Sequence, residues 1–191
     1  MGRSHAWLPR GQELIEPRPM NWGDNLSLVG AIRLNGWLTM ATFWGAINTQ
    51  RFVAWVRRRL VRRLRPGDMV VMDNLPAHKA RAVRDLIEAA GAEVHFLPPY
   101  SYDFNPIESA WALLKKRIRA VAPRTAAHLR CTAQRARRVI QPRHCRAWFA
   151  HAGYQLKWSQ GLGDSSAGAR NSTRTVATLR ACWPWPSFET P

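Results

Sequence analysis

Residues 69–78 read Met69-Val-Val-Met-Asp-Asn-Leu-Pro-Ala-His78, and this stretch decides the fold class. Met69 to Met72 is an unbroken apolar run bounded by Gly67 and Asp73, the pattern of a strand buried on both faces. Working outward, the spacing predicts a helix from His78 to Ala90, with Val83, Leu86, Ile87 and Ala90 on one side and Gly91 as its stop. Val94 to Leu97 is a second short strand, ended by Pro98-Pro99. Asn105 then opens a helix with Pro106 at its first position and Ile107, Trp111, Leu114 and Ile118 as the buried stripe. Upstream, two β-tolerant runs, Leu26 to Ile32 and Trp37 to Trp44, flank Asn35-Gly36, which predicts a hairpin with a type I′ turn. Asn48 or Thr49 can cap a helix in which Phe52, Val53, Val56, Leu60 and Leu64 recur at helical spacing. A hairpin followed by strand, helix, strand, helix is an α/β plan with a mixed sheet.

Charge points to the partner. The 191 residues include 29 Lys plus Arg against 12 Asp plus Glu, a formal net charge of +17. A surplus of that size in a small chain suits nucleic acid first and an acidic membrane surface second. Arg outnumbers Lys 25 to 4, which genome base composition also produces. A hydrophobic content of 46% with ten Trp excludes wholesale disorder. No apolar run reaches the roughly 18 residues of a spanning helix, and Met1 to Arg10 lacks a secretory apolar core. Cys131, Cys145 and Cys182 are odd in number and widely spaced, which suits a reducing compartment and argues against a disulfide framework or a zinc site.

The basic residues are grouped. Arg51, Arg57, Arg58, Arg59, Arg62, Arg63 and Arg65 crowd one short stretch, eleven Lys or Arg lie from Lys115 to Arg146, and no acid occurs between Glu108 and Asp164. Residues 1–154 form the patterned body. Residues 155–191, rich in Gly, Ser, Ala and Thr over 161–178, read as an unpatterned, disordered tail.

Two carboxylates are placed for chemistry. Asp73 follows the apolar strand, and side chains at the carboxyl ends of such strands collect in the crevice where α/β sheets bind ligands. The plainer alternative is an Asp that starts a turn with Asn74 and Pro76. Glu108 lies in the first turn of the next helix, where with Asn105 it also resembles a capping box. Paired acids suit Mg²⁺, a hard cation that takes carboxylate oxygens, and two-metal sites carry out phosphoryl transfer on nucleic acid.

The full string is more specific. Asp73 and Glu108 have 34 residues between them, within Val-Met-Asp-Asn-Leu-Pro-Ala-His-Lys and Pro-Pro-Tyr-Ser-Tyr-Asp-Phe-Asn-Pro-Ile-Glu-Ser-Ala-Trp. This resembles the DDE transposases of the mariner superfamily, in particular the bacterial insertion-sequence branch. Trp7-Leu-Pro-Arg-Gly-Gln12 and the Asn35-Gly36 hairpin also look like family features, so the resemblance covers about residues 5 to 154. It implies an RNase H-like mixed sheet flanked by helices, a two-metal Mg²⁺ or Mn²⁺ site, and DNA strand cleavage and transfer at transposon ends. By position it makes Asp73 and Glu108 catalytic metal ligands and puts Asn74 and His78 near the site, His78 orienting DNA or a ligand. A surface or helix-cap His78 is the plainer alternative. Asn105 and Pro106 would set the geometry of the Glu108 helix. Lys115, Lys116, Arg117 and Arg119 would grip phosphates of double-stranded DNA, as would Arg57, Arg58 and Arg62, for which a solvated helix face is the alternative. Assembly with itself or with a complete transposase, in a bacterial cytoplasm at the nucleoid, follows from the same resemblance.

The family uses three acids, the first on a strand before the Trp7 segment. The expectation is therefore a sheet lacking its first strand, an incomplete metal site and no robust activity alone. Asp24 and Asp103 are weak substitutes. The competing readings are a non-catalytic basic DNA-binding remnant that interferes with a complete transposase, and an RNA-binding basic protein. The latter lacks the aromatic-and-Gly sheet motif of common RNA modules.

Overall fold

A computed structural model describes residues 9–10, 25–99, 101–154 and 174–182. Strand β1 (Leu26–Arg33) turns into β2 (Gly36–Trp44). Helix α1 (Thr49–Trp55) runs on through a wider π-helical stretch (Val56–Leu60) and a 3₁₀ turn (Val61–Arg63). Then follow β3 (Asp68–Met72), α2 (Arg81–Glu88), β4 (Glu93–Phe96), α3 (Pro106–Val121), α4 (Ala126–Ala136), α5 (Pro142–His151) and β5 (Arg174–Cys182). The described strands form one sheet in the order β2-β1-β5-β3-β4. β1 is antiparallel to both β2 and β5, and β3 is parallel to both β5 and β4. This is the mixed sheet flanked by helices that an RNase H-like plan requires.

Strand alternation divides the core. Leu28 and Ile32 of β1 face one side, where they meet Ile107, Trp111, Leu114, Leu129 and Phe149 from α3, α4 and α5. Val29 and Ala31 face the other side with Val70 and Met72, and are covered by Phe52, Trp55, Leu60, Val83 and Ile87. Asn48 caps α1 as expected, its Oδ1 accepting from the Arg51 N–H at 2.9 Å. No helix among the described residues is long and apolar enough to cross a membrane.

Three local expectations change. The hairpin pairs Arg33 with Gly36, so Leu34-Asn35 is the loop, and Gly36 takes the positive φ of 115°. A register shift between Ala31 and Ile32 moves the turn one residue from where Asn-Gly alone would put it. Helix α2 begins at Arg81 rather than His78, because Leu75 to Lys79 close a turn in which the His78 N–H donates to Leu75 O at 2.9 Å. The largest change lies in the stretch expected to lack regular structure. Residues 174–182 form β5, between β1 and β3, in register from Ser27↔Cys182 to Ile32↔Ala177 on one side and from Asp68↔Arg174 to Met72↔Thr178 on the other. The expected vacancy in the sheet is thus filled. Thr175, Val176 and Thr178 supply β-branched residues to a strand whose two neighbours otherwise expose unpaired backbone.

Candidate active site

The parallel strands β3 and β4 end together, Met72 paired with Phe96, and the site lies just past that line. The Leu97 N–H donates to Met72 O at 2.8 Å. Asn74 then bridges the two strand exits, its Nδ2 donating to Leu97 O. A crevice of about 220 Å³ opens there, bordered by Asp73, Asn74, Leu97, Pro98, Ser101 and Asn105. Asp73 is therefore held at the carboxyl end of a buried strand, and it also starts a turn, Oδ1 accepting from the Leu75 N–H at 3.3 Å. Asp73 thus borders the crevice and starts the turn with one and the same carboxylate.

His78 Nδ1 meets Asp73 Oδ1, an ion pair when the ring is protonated. The ring is fully buried and lies against Phe52 at 4.4 Å between ring centroids. So enclosed, His78 cannot touch DNA, and its contact is with the Asp73 carboxylate.

Glu108 reaches the same neighbourhood from α3. Burial raises its carboxyl above the ordinary 4.5, the Lys115 charge two turns along pulls it down, and the Asp73 carboxylate pushes it up again. The capping box is not formed: the Asn105 side chain makes no cap hydrogen bond, although Pro106 takes the first helical position. Asn105 is instead buried beside the crevice, with neither Oδ1 nor Nδ2 partnered among the described residues.

Two hard carboxylates and an orphaned amide oxygen suit an oxygen-loving divalent cation. No group of three or more His, Cys, Asp or Glu side chains gathers to hold a metal among the described residues. β5 fills the slot beside β3, and past the Met72↔Thr178 pair it continues as Leu-Arg-Ala-Cys, with no carboxylate. Asp103 is exposed in a 3₁₀ turn, and Asp24 and the Trp7–Gln12 segment, apart from Pro9 and Arg10, lie outside the described residues.

The basic candidates separate into two places. Lys116, Arg117 and Arg119 are exposed on α3, while Lys115 is half-buried on the Glu108 side. Arg57, Arg58 and Arg62 are exposed beyond α1, and of these Arg58 borders a second groove with Arg51, Arg59, Arg130 and Arg137. Arg51, Arg58 and Arg59 share one arginine-rich helical stretch, but their meeting with Arg130 and Arg137, some seventy residues on, depends on packing and has no sequence motif. It also missed Tyr154, whose hydroxyl bonds Phe104 O at 3.0 Å just before α3.

Structural comparison places this chain beside the Mos1 strand transfer complex, at 22% identity and a TM-score of 0.46 over 81% of this chain and 51% of that one. A Mos1 paired-end complex with the left transposon end gives 22% identity and 0.46 over 80% and 51%. The Mos1 transposase catalytic domain with raltegravir and Mn gives 20% and 0.36 over 71% and 83%. The chain thus spans about half the length of the first two Mos1 proteins. No match was found among curated proteins. The family model for the DDE superfamily endonuclease matches residues 1–130 of the 191, a span that holds Asp73, His78 and Glu108, and the chain belongs to that family.

Proposed function

We propose that this chain is a transposase catalytic domain that supports divalent-metal-dependent cleavage and transfer of DNA strands, with Asp73 and Glu108 as the metal-holding acids. The observation that carries this is the convergence of the two: residues with 34 positions between them come close enough that the Asp73 charge raises Glu108. DDE endonucleases act with divalent metals, and Mos1 structures are described with Mn. When bound, Mg²⁺ or Mn²⁺ supplies charge stabilisation at the scissile phosphate and an activated oxygen nucleophile. The protein's own parts position that chemistry. His78 and the Leu75 N–H hold the Asp73 carboxylate, Asn74 fixes the two strand exits, and Lys115 tempers the cost of ionising Glu108. Lys116, Arg117 and Arg119 lie further along α3, where phosphates of double-stranded DNA at transposon ends are bound. Two of the acids the family uses, Asp73 and Glu108, lie among the described residues. The chain assembles with itself or with another transposase chain on that DNA, in the cytoplasm beside the nucleoid.

The test is Mn²⁺-dependent nicking of transposon-end DNA by the whole chain. Asp73→Ala and Glu108→Ala are each expected to abolish it, and nicking that survives either substitution removes these residues from the site. A second reading has its own support in the charge of +17: a non-catalytic basic DNA-binding protein. It requires salt-sensitive binding to any duplex with no nicking in either metal.

A further inference from the structure

The edge of the sheet far from Asp73 carries a larger and more strongly charged concavity. β2 is the last strand on that side, and residues 40–44 floor a groove of about 840 Å³, against about 220 Å³ for the crevice at Asp73. One wall carries Arg51, Arg58 and Arg59 from α1 and its continuation, and the other carries Arg130 and Arg137 from α4 and the turn after it. No Asp or Glu among the described residues borders it. The two walls belong to helices that pack on opposite faces of the sheet, so the fold itself brings these guanidinium groups together.

Three details distinguish the groove from a solvated helix face. Arg51 is fixed in place, its Nη1 donating to Trp44 O at 2.9 Å and to Ala46 O at 3.1 Å. The outer backbone edge of β2 has no strand partner among the described residues, so within them its outward N–H groups have no ladder acceptor. Trp55, buried against the same groove, has an indole N–H with no partner among the described residues. Arginine forks, backbone donors and half-buried aromatic rings at Phe43 and Trp44 are the combination that tracks a sugar–phosphate backbone and stacks on bases.

We infer that this groove binds the sugar–phosphate backbone of a nucleic-acid strand, in a contact separate from the carboxylate site. An acidic protein segment adding to the β2 edge is the rival occupant. Five arginines spread over two walls and the chain-wide surplus of 29 basic over 12 acidic residues favour a continuous polyanion. The inference goes beyond the roles given to Asp73 and Glu108, and both stay intact in its test.

The test measures binding of a short labelled oligonucleotide, single-stranded and as duplex, to the full chain by anisotropy over a salt series without divalent metal. Arg58→Ala/Arg59→Ala removes one wall and Arg130→Ala/Arg137→Ala the other. Arg138→Ala/Arg143→Ala removes the same charge from exposed positions outside the groove. Each wall variant is expected to lower the salt slope on duplex by about two and to weaken binding roughly tenfold or more, with the control pair much closer to the parent. The form of DNA that loses more identifies the strand the groove takes. Losses equal to the control, or displacement by polyglutamate as effective as by DNA, overturn the inference. Ultraviolet crosslinking of the unaltered chain covers any variant that fails to fold. Crosslinks are expected on peptides bearing Phe43, Trp44 or Trp55, and their absence among crosslinks found elsewhere overturns it too.

Discussion

The Tyr154 hydroxyl donates a 3.0 Å hydrogen bond to Phe104 O, fifty residues away, and so ties the end of α5 to the turn that launches the Glu108 helix. Tyr154 also packs edge-on against Phe149, with centroids 5.6 Å apart, and burial raises its phenol above the ordinary value, so it stays a donor. Tyr154→Phe keeps the ring and removes the bond. Urea denaturation is expected to show a loss of about 1 kcal/mol. Because the tether precedes Asn105 and Glu108, the thermal shift produced by Mn²⁺ is expected to shrink as well. An unchanged shift would leave Tyr154 as a purely structural strut.

Gly30 sits in β1 beneath a pair of indoles. Trp37 and Trp111 lie 5.1 Å apart between centroids, and a Cβ at Gly30 would come 2.5 Å from Trp37 Cζ3 and 3.2 Å from Trp111 Cη2. Gly30→Ala is expected to cost about 1–3 kcal/mol through overpacking and to lower the melting temperature. Since Trp111 belongs to α3, its fluorescence is expected to shift with the same variant.

Asp68 opens β3 with a carboxylate that is fully buried and paired with the Arg33 guanidinium, while Oδ2 also accepts from the Arg65 N–H at 2.7 Å. Asp68→Ala removes both interactions and leaves the cation without its buried partner, at an expected cost of about 3 kcal/mol in chemical denaturation. Asp68→Asn retains an acceptor for Arg65 and is expected to lose less.

Glu108 gives the site a pH signature. Its folded-state carboxyl titrates above the ordinary 4.5. Below that value it is neutral folded or unfolded, and burial carries no ionisation penalty. As pH rises through 4.5 the unfolded side chain ionises first, so stability falls until the raised folded value is passed, and the penalty is then constant. Glu108→Gln is therefore expected to melt higher than the parent at neutral pH and to lose that advantage below pH 4.5. Mn²⁺ is expected to stabilise the parent and to leave the variant nearly unmoved.

Cys145 is buried in the core, and burial, partly offset by a backbone hydrogen bond from Gly36, pushes its thiol up to about 11. The thiol form is a poor nucleophile. Alkylation followed by peptide mass analysis is expected to label half-exposed Cys131 in the native chain and Cys145 only once the chain unfolds.

The sequence by itself determined the local elements and the two acids. Period-two burial in β1, helical spacing in α3, the Asn48 cap and the apolar run ending at Asp73 all depend on neighbours within a few residues, so they are legible without a fold. The motif around Asp73 and Glu108 likewise named both before their proximity was visible. Long-range pairing decided the rest. β5 joins the sheet through backbone bonds to β1 and β3, and backbone bonds carry almost no residue signature, so 174–182 read as tail. A register shift set the hairpin turn, burial turned Asn105 from a cap into an orphaned amide beside the crevice, and enclosure behind Phe52 turned His78 from DNA toward Asp73. The five arginines at the β2 edge are scattered from 51 to 137, and packing on opposite faces of one sheet is what makes them a groove.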